Sequence, residues 1–405
     1  MKSAFMKIIH VVGARPNFMK IAPIMESIQA FNEKAPPGRK IYQILVHTGQ
    51  HYDQEMSKLF FEELRIPKPD INLNVGSASH AAQTAEIMKR FEKVCNNQKP
   101  THILVVGDVN STIACALVAA KLGIKIIHVE AGLRSFDRSM PEEINRVLTD
   151  VISDILFITE ESARKNLIRE GISGEKIHFI GNVMIDTLLK HKKRSEDSDI
   201  LRKLGLDNGE QGVEEYAVLT LHRPSNVDVR PSLEGILNAI KVISYDRPVI
   251  FPIHPRTRSR IRQFGLEQEV SFDFSPSSIP KGGIYCIEPL GYLDFLCLTS
   301  HASLVLTDSG GIQEETTILG VPCVTIRENT ERPVTLTHGT NVLAGTTKDD
   351  IIRAATLQTR RFRKEKESMG DFTPGATESL APPLWDGRAS ERLVRILVTK
   401  VAGTS

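Results

Sequence analysis

Along the first half of the chain, short apolar runs alternate with longer stretches whose apolar residues recur at a helical period. The runs cover residues 7–12, 41–48, 103–107, 126–129, 155–159 and 176–180. They are rich in Ile and Val and apolar at nearly every position, which suits strands buried on both faces of a parallel sheet. Amphipathic stretches such as residues 81–95 and 111–122 lie between them. Alternation of this kind predicts a doubly wound α/β domain. The pattern breaks over residues 190–215, which are charged, and this stretch reads as surface helix and loop around a boundary. It resumes with runs at 216–221, 248–253, 284–288, 304–307 and 323–326, a second α/β unit. Two Rossmann-like domains are expected to face each other, with the C-terminal ends of both sheets opening into a cleft. Residues 359–384 read as a helix end and then a Pro-, Gly- and Ser-rich loop. The basic cluster in it, from Arg360 to Lys366, reads as a solvated helix face. Residues 389–401 predict a closing amphipathic helix.

Composition narrows this picture. The 405 residues suit two domains of the usual size. Lys and Arg total 51 against 49 Asp and Glu, a net charge of +2, so no nucleic-acid partner is expected. No apolar run approaches the ~18 residues of a membrane span, and the N-terminus lacks the features of a signal peptide. The cysteines (Cys95, Cys115, Cys286, Cys297, Cys323) are scattered and in no metal-ligand spacing. They read as reduced thiols of a cytoplasmic protein, with neither metal nor cofactor expected.

Five segments carry more polar chemistry than a turn needs. In VVGARPNFMKIAP, Gly13 suits a sharp turn and Pro16 a helix start. The helix N-terminus with Arg15 and Lys20 suits a phosphate, or is a capped helix with incidental cations. In VVGDVNSTIA, Asp108 follows a strand, as a helix cap or a functional carboxylate. In HVEAGLRS…MPEEINR, Glu130 ends a strand and Glu142 and Glu143 open a helix. Such a group of carboxylates supplies an acid and a base; alternatively, Glu130 pairs with Arg134 or Arg146. His222 and His254 each follow a strand of the second unit, beside Arg and ahead of a Pro-bearing loop. Neither has a second His at zinc-ligand spacing. In LVLTDSGGIQEET, Ser309 and Gly310 offer backbone N–H groups to a pyrophosphate, and Glu314 and Glu315 offer carboxylates to a ribose. The esterase pattern G-x-S-x-G is not matched. Together these features predict a nucleotide-linked small molecule.

GARPNFMKIAP, TGQH, GD, HVEAGLR, PEEINR, LHRP, HP, EPLGYLDF, TDSGGIQEE, ERP and DGRASER occur in that order across nearly the whole chain. In this the chain resembles the non-hydrolysing UDP-N-acetylglucosamine 2-epimerase family. The resemblance implies a GT-B-like α/β fold. Its N-terminal domain would be 1–188, with helix 387–405 packing back on it, and its UDP-binding domain 189–386. It implies a homodimer that interconverts UDP-GlcNAc and UDP-ManNAc for cell-surface polysaccharide precursors. The route is elimination of UDP to 2-acetamidoglucal followed by re-addition. Position by position, Asp108, Glu130 and Glu142 match the family's acid/base carboxylates, and His222 its histidine near the pyrophosphate. Arg15 and Lys20 match substrate contacts. His254, Phe295, Ser309, Gly310, Glu315 and Arg332 match UDP contacts, with Phe295 near the base and Glu315 at the ribose.

Two departures stand out. Ser225 occupies a position where a glutamate is common. TGQHYDQEM carries one residue more than the bacterial AQHRQML, a segment that forms a regulatory UDP-GlcNAc site in some members; Gln50 and His51 persist. The alternatives are a hydrolysing epimerase that releases ManNAc and UDP, and a GT-B glycosyltransferase.

Overall fold

The computed structural model describes residues 6–49, 63–64, 66–207, 209, 212–273, 282–369 and 381–402. Gln50 and His51 lie outside them. The chain divides into two compact units, with crossings between residues 190 and 191 and between 382 and 383.

Unit 1 holds a parallel sheet of strands β1 (Met6–Val12), β2 (Ile41–His47), β3 (Ile71–Asn72), β4 (His102–Val106), β5 (Lys125–Val129), β6 (Ile155–Ile158) and β7 (Ile177–Phe179). Their order is β3-β2-β1-β4-β5-β6-β7. Unit 2 repeats the plan with β8 (Ala217–Thr220), β9 (Val249–Pro252), β10 (Ile284–Ile287), β11 (Leu304–Thr307), β12 (Cys323–Thr325) and β13 (Asn341–Leu343). Their order is β10-β9-β8-β11-β12-β13. In each sheet the strand order reverses once, between β1 and β4 and between β8 and β11. Ligands of open α/β sheets bind outside the strand ends at such a reversal.

The strands form because both faces are covered. Ile9, Val11, Ile44, Ile103, Val105 and Phe91 are buried in one core, and Leu219, Phe251, Leu304, Leu306 and Ile236 in the other. The apolar runs therefore mark the strands to within a residue or two. β3 and β13, two and three residues long at sheet edges, have no such signal.

The helices that follow the strands carry the site. In unit 1 these are α1 (Arg15–Lys34), α2 (His80–Gln98), α3 (Asn110–Lys121), α4 (Pro141–Ile152) and α5 (Glu161–Arg169). The closing helix Ala389–Ala402 belongs to unit 1 as well. Asp186 caps it, accepting from the Ala389 amide at 3.1 Å and the Ser390 amide at 2.7 Å. Trp385, buried ahead of it, donates its indole N–H to the Thr159 carbonyl at 2.9 Å. Among the described residues, no helix is long and apolar enough to cross a membrane.

Candidate functional site

In unit 1 the candidate residues gather at the reversal between β1 and β4. Gly13 ends β1 without a left-handed backbone. Its need is space, since a Cβ there would lie 2.1 Å from Ser111 Oγ. Asn17 Oδ1 accepts from the Gly13 and Ala14 amides at 3.1 and 2.9 Å. Asn17 Nδ2 donates to the Val106 carbonyl at 3.1 Å, which fastens the start of α1 to the end of β4. One turn on, Lys20 is buried and ion-paired with buried Glu130. Gly107, beside Lys20 Nζ, takes φ +66, a backbone conformation that favours glycine. Arg15 is the first residue of α1, and its side chain is outside the described structure.

The helix-cap role offered by sequence does not describe Asp108. Asp108 caps no helix: α3 has Val109 as its N-cap, with no side-chain cap bond. Asp108 instead pairs with Arg146 at 2.7 Å. Arg134 is held by Asp150 at 2.7 Å and Glu170 at 2.6 Å. The two first-turn glutamates of α4 divide. Glu143 is buried, pairs with Arg146 at 2.7 Å, and accepts from the Ser135 and Phe136 amides at 2.9 and 3.0 Å. Glu142 is half-buried and, among the described residues, has no hydrogen-bond or ion-pair partner. Glu142 is thus the one with a carboxylate to offer.

Beneath them lies a network that sequence did not reveal. His128 and Asp150 are fully buried and joined at 2.7 Å. Burial alone would push the Asp150 carboxyl up; His128 and Arg134 outweigh it and hold it below the usual carboxylate range. One signal was available. His128, near the end of β5, is two residues before Glu130, and Asp150 is one turn beyond Arg146 on α4.

In unit 2 the reversal between β8 and β11 is occupied by Asp308 and His222. Asp308 is fully buried. It accepts from His222 Nδ1 at 2.9 Å, from the backbone N–H of His222 and Arg223 at 3.1 and 2.9 Å, and from Asn226 Nδ2 at 3.2 Å. Burial would raise its pKa; His222 and these backbone donors outweigh that and lower it. The His222 ring is 47% exposed. Asp308 entered the sequence argument only as the residue before Ser309.

Ser309 is the N-cap of the helix Gly310–Leu319, and Gly310 its first residue. A Cβ at Gly310 would lie 2.6 Å from Glu331 Oε1. Glu331 is itself locked by Arg327 at 2.7 Å. Within that helix Glu314 takes Arg332 at 2.6 Å. Glu315 accepts from the Tyr292 hydroxyl at a long 3.4 Å. Burial, then the neighbouring Glu314, drives Glu315 up to about 8. Arg332 is buried beside Glu314. Phe295, half-buried, lies in the helix Tyr292–Ser300. His254, exposed, caps the helix Pro255–Phe264 by accepting from the Arg256 amide at 3.2 Å. The prolines after both histidines start helices, Pro224–Val227 and Pro255–Phe264, where loops were expected. Among the described residues, no group of three or more His, Cys, Asp or Glu is placed to hold a metal ion.

Comparison with known proteins places these residues in a family. The family model described as UDP-N-acetylglucosamine 2-epimerase matches residues 36–398. The chain is 44% identical over 396 residues to the UDP-N-acetylglucosamine 2-epimerase of Methanocaldococcus jannaschii, covering 97% of this chain and 99% of that one. It is 41% identical over 353 residues to the UDP-2,3-diacetamido-2,3-dideoxy-D-glucuronate 2-epimerase of Pseudomonas aeruginosa, covering 86% and 91%. The crystal structure of the M. jannaschii UDP-GlcNAc 2-epimerase in complex with UDP-GlcNAc and UDP superposes with a TM-score of 0.81 at 42% identity, over 97% of this chain and 100% of that one. The chain belongs to the UDP-N-acetylglucosamine 2-epimerase family.

Proposed function

We propose that the protein interconverts UDP-GlcNAc and UDP-ManNAc without releasing free sugar. The C2 proton of the sugar is not adjacent to a carbonyl, so direct abstraction is very slow. Breaking the bond between C1 and the UDP oxygen first gives C1 oxocarbenium character and acidifies that proton. A carboxylate then takes it, leaving 2-acetamidoglucal and UDP. Return of the proton to the opposite face, with re-formation of the C1–O bond, completes the inversion.

The observation that carries this reading is the placement of paired charges at both strand reversals. Asp108 with Arg146 and Glu130 with Lys20 lie at one, and His222 with Asp308 lies at the other. Asp108, Glu130 and Glu142 are assigned the acid/base work, worth ~10²–10⁴-fold for each proton transfer. Arg15 and Lys20 contact the substrate. His222 faces the pyrophosphate, where a donor stabilises the departing UDP. Gly310 presents its backbone N–H group to the phosphates, and Ser309, whose own N–H donates to the Thr307 hydroxyl at 2.9 Å, offers its side-chain hydroxyl instead. Glu315 takes the ribose hydroxyls, and Phe295, His254 and Arg332 complete the nucleotide site. Gln50 and His51 are assigned to a regulatory UDP-GlcNAc site.

The test is incubation with UDP-GlcNAc in deuterated water, followed by NMR. UDP-ManNAc carrying deuterium at C2 is expected. Free ManNAc would indicate hydrolysis, and an unchanged sugar with no exchange would overturn the assignment. Running the 2,3-diacetamido glucuronate analogue in parallel decides the sugar.

The homodimer belongs to the same reading. Ile144, Leu148 and Val151 are 42, 49 and 54% exposed. They share one face of α4 by their i, i+4, i+7 spacing. A second copy is proposed to cover this stripe, and Leu148→Asp is expected to shift sedimentation from dimer to monomer. The cysteines are all buried free thiols, which agrees with a cytoplasmic setting.

A further inference from the structure

His128 and Asp150 have no reason, from packing alone, to be where they are. Both are fully buried between α4 and the sheet, where an apolar pair would fill the space without desolvating charge. Both ring nitrogens face acceptors. Nδ1 meets Asp150 Oδ1 at 2.7 Å, and Nε2 meets the Gly107 carbonyl at 2.9 Å. A carbonyl only accepts, so Nε2 donates, and the bond to ionised Asp150 requires a proton on Nδ1 too.

The atoms held by this pair are the backbone of the two carboxylate turns. The Gly107 carbonyl belongs to the peptide that joins Gly107, at φ +66, to Asp108. On the other side Asp150 Oδ2 accepts from the Gly132 amide at 3.1 Å. His128 and Gly132 bracket Glu130, a non-glycine residue at φ +72. The Glu130 and Ala131 amides are further tied to the Phe157 carbonyl at 3.0 and 3.1 Å. Such a backbone conformation persists only when its surroundings over-determine it. Asp150 reaches both turns, directly at Gly132 and through His128 at Gly107.

We propose that His128 and Asp150 are positioning residues that set Asp108 and Glu130 relative to each other, with the bond from His128 Nε2 to the Gly107 carbonyl as the working contact. The proposal rests on the acid/base reading of Asp108 and Glu130.

Two isosteres separate positioning from packing. The amide nitrogen of Gln reaches about where His Nε2 lies, and that of Asn about where Nδ1 lies. His128→Gln keeps the donor to Gly107, and His128→Asn keeps only the donor to Asp150. His128→Asn is expected to lower kcat ~100-fold, the scale of a displaced catalytic group. KM and UDP affinity should stay within about threefold. His128→Gln should recover at least a tenth of parental kcat, although both variants lose thermal stability. If the two variants lose kcat equally, or in proportion to their melting temperatures, the role is structural and the proposal falls. If His128→Asn retains near-parental kcat, it falls outright. Asp108→Asn run alongside distinguishes this from failure of the parent reading: full activity there would remove the acid/base assignment itself.

Discussion

Each unit joins a histidine to a buried aspartate at the C-terminal edge of its sheet, and the two pairs are used in opposite ways. In unit 1 the ring of His128 is sealed, and both of its nitrogens hold protein atoms. In unit 2 Asp308 holds Nδ1 of His222, and the ring is half-exposed. Backbone strain divides the same way. Among the described residues, the non-glycine positions with positive φ are Asn74, Lys99, Glu130, Phe136 and Leu384, all in unit 1. In unit 2 every such position is glycine. Two units of one strand order have thus solved different problems. In unit 1 buried hydrogen bonds hold Glu130 in a costly conformation, which suits the proposed proton transfer. Unit 2 keeps its polar groups on unstrained backbone, which suits the proposed nucleotide binding.

The comparison breaks most easily at the carboxylates. Glu130→Gln and Asp108→Asn are expected to cut deuterium exchange at C2 by ~10³-fold or more. UDP affinity measured by calorimetry should stay within about threefold of the parent. Near-parental exchange would remove the acid/base roles from unit 1. In unit 2 the matching change is Asp308→Asn. An amide cannot accept from His222 Nδ1, two backbone amides and Asn226 at once. Here kcat should fall ~100-fold and UDP affinity should weaken with it, by ~10-fold, because the misplaced ring also faces the ligand. Asp150→Asn in unit 1 should spare UDP affinity. If both aspartates affect UDP binding alike, the division of labour is wrong.

That division was half legible from sequence. Strands buried on both faces announce themselves, and β3 and β13 failed to because two or three edge residues containing Asn give no apolar run. Asp108, Glu130 and His222 were legible because a polar residue straight after an apolar run stands at a strand end or a helix start, and Glu315 because it follows the Ser-Gly-Gly turn into a helix. His128 was not, since it sits inside its run and reads as one more strand residue. Asp150 reads as a surface position of α4 until tertiary packing buries it. Lys20 was picked out as a candidate cation, but its pairing with Glu130 was not legible, nor was that of Arg146 with Asp108, because these partners lie far apart in sequence. Periodicity reports which face is buried; it does not report which buried charges meet.

A smaller effect concerns pH. Burial, then Glu314, lifts Glu315 to about 8 in the empty unit, against 4.5 for the free group. Between those values the folded chain holds a proton that the unfolded chain has released. Stability from this group is therefore fully present below about 4.5 and is lost as pH rises through about 8. Glu315→Gln, neutral throughout, should lag or match the parent in thermal unfolding at pH 5 and exceed it at pH 8.5. If ribose hydroxyls bind the carboxylate, UDP binding must expel the proton. UDP affinity of the parent should then tighten from pH 6 to 8, and that of the variant should not. A flat profile for the parent would mean that Glu315 is ionised in the empty unit.

The smallest effect tests the strain itself. Phe136 adopts φ +60 with its ring 69% exposed, fixed by the Glu143 carboxylate at its amide. A left-handed conformation costs a side-chain-bearing residue ~1–2 kcal/mol, and an exposed ring returns little burial. Phe136→Gly removes that cost but loosens the unfolded chain by ~0.4–1 kcal/mol. The net expectation is a gain of ~0.5 kcal/mol, or about a degree in melting temperature for a unit of this size. Tyr245 in unit 2 is the control, equally exposed at 73% but with no left-handed backbone to relieve. Tyr245→Gly should lower stability. Opposite signs at two equally exposed aromatics would isolate backbone conformation from lost contact, and equal losses would mean that the loop carrying Phe136 is not strained.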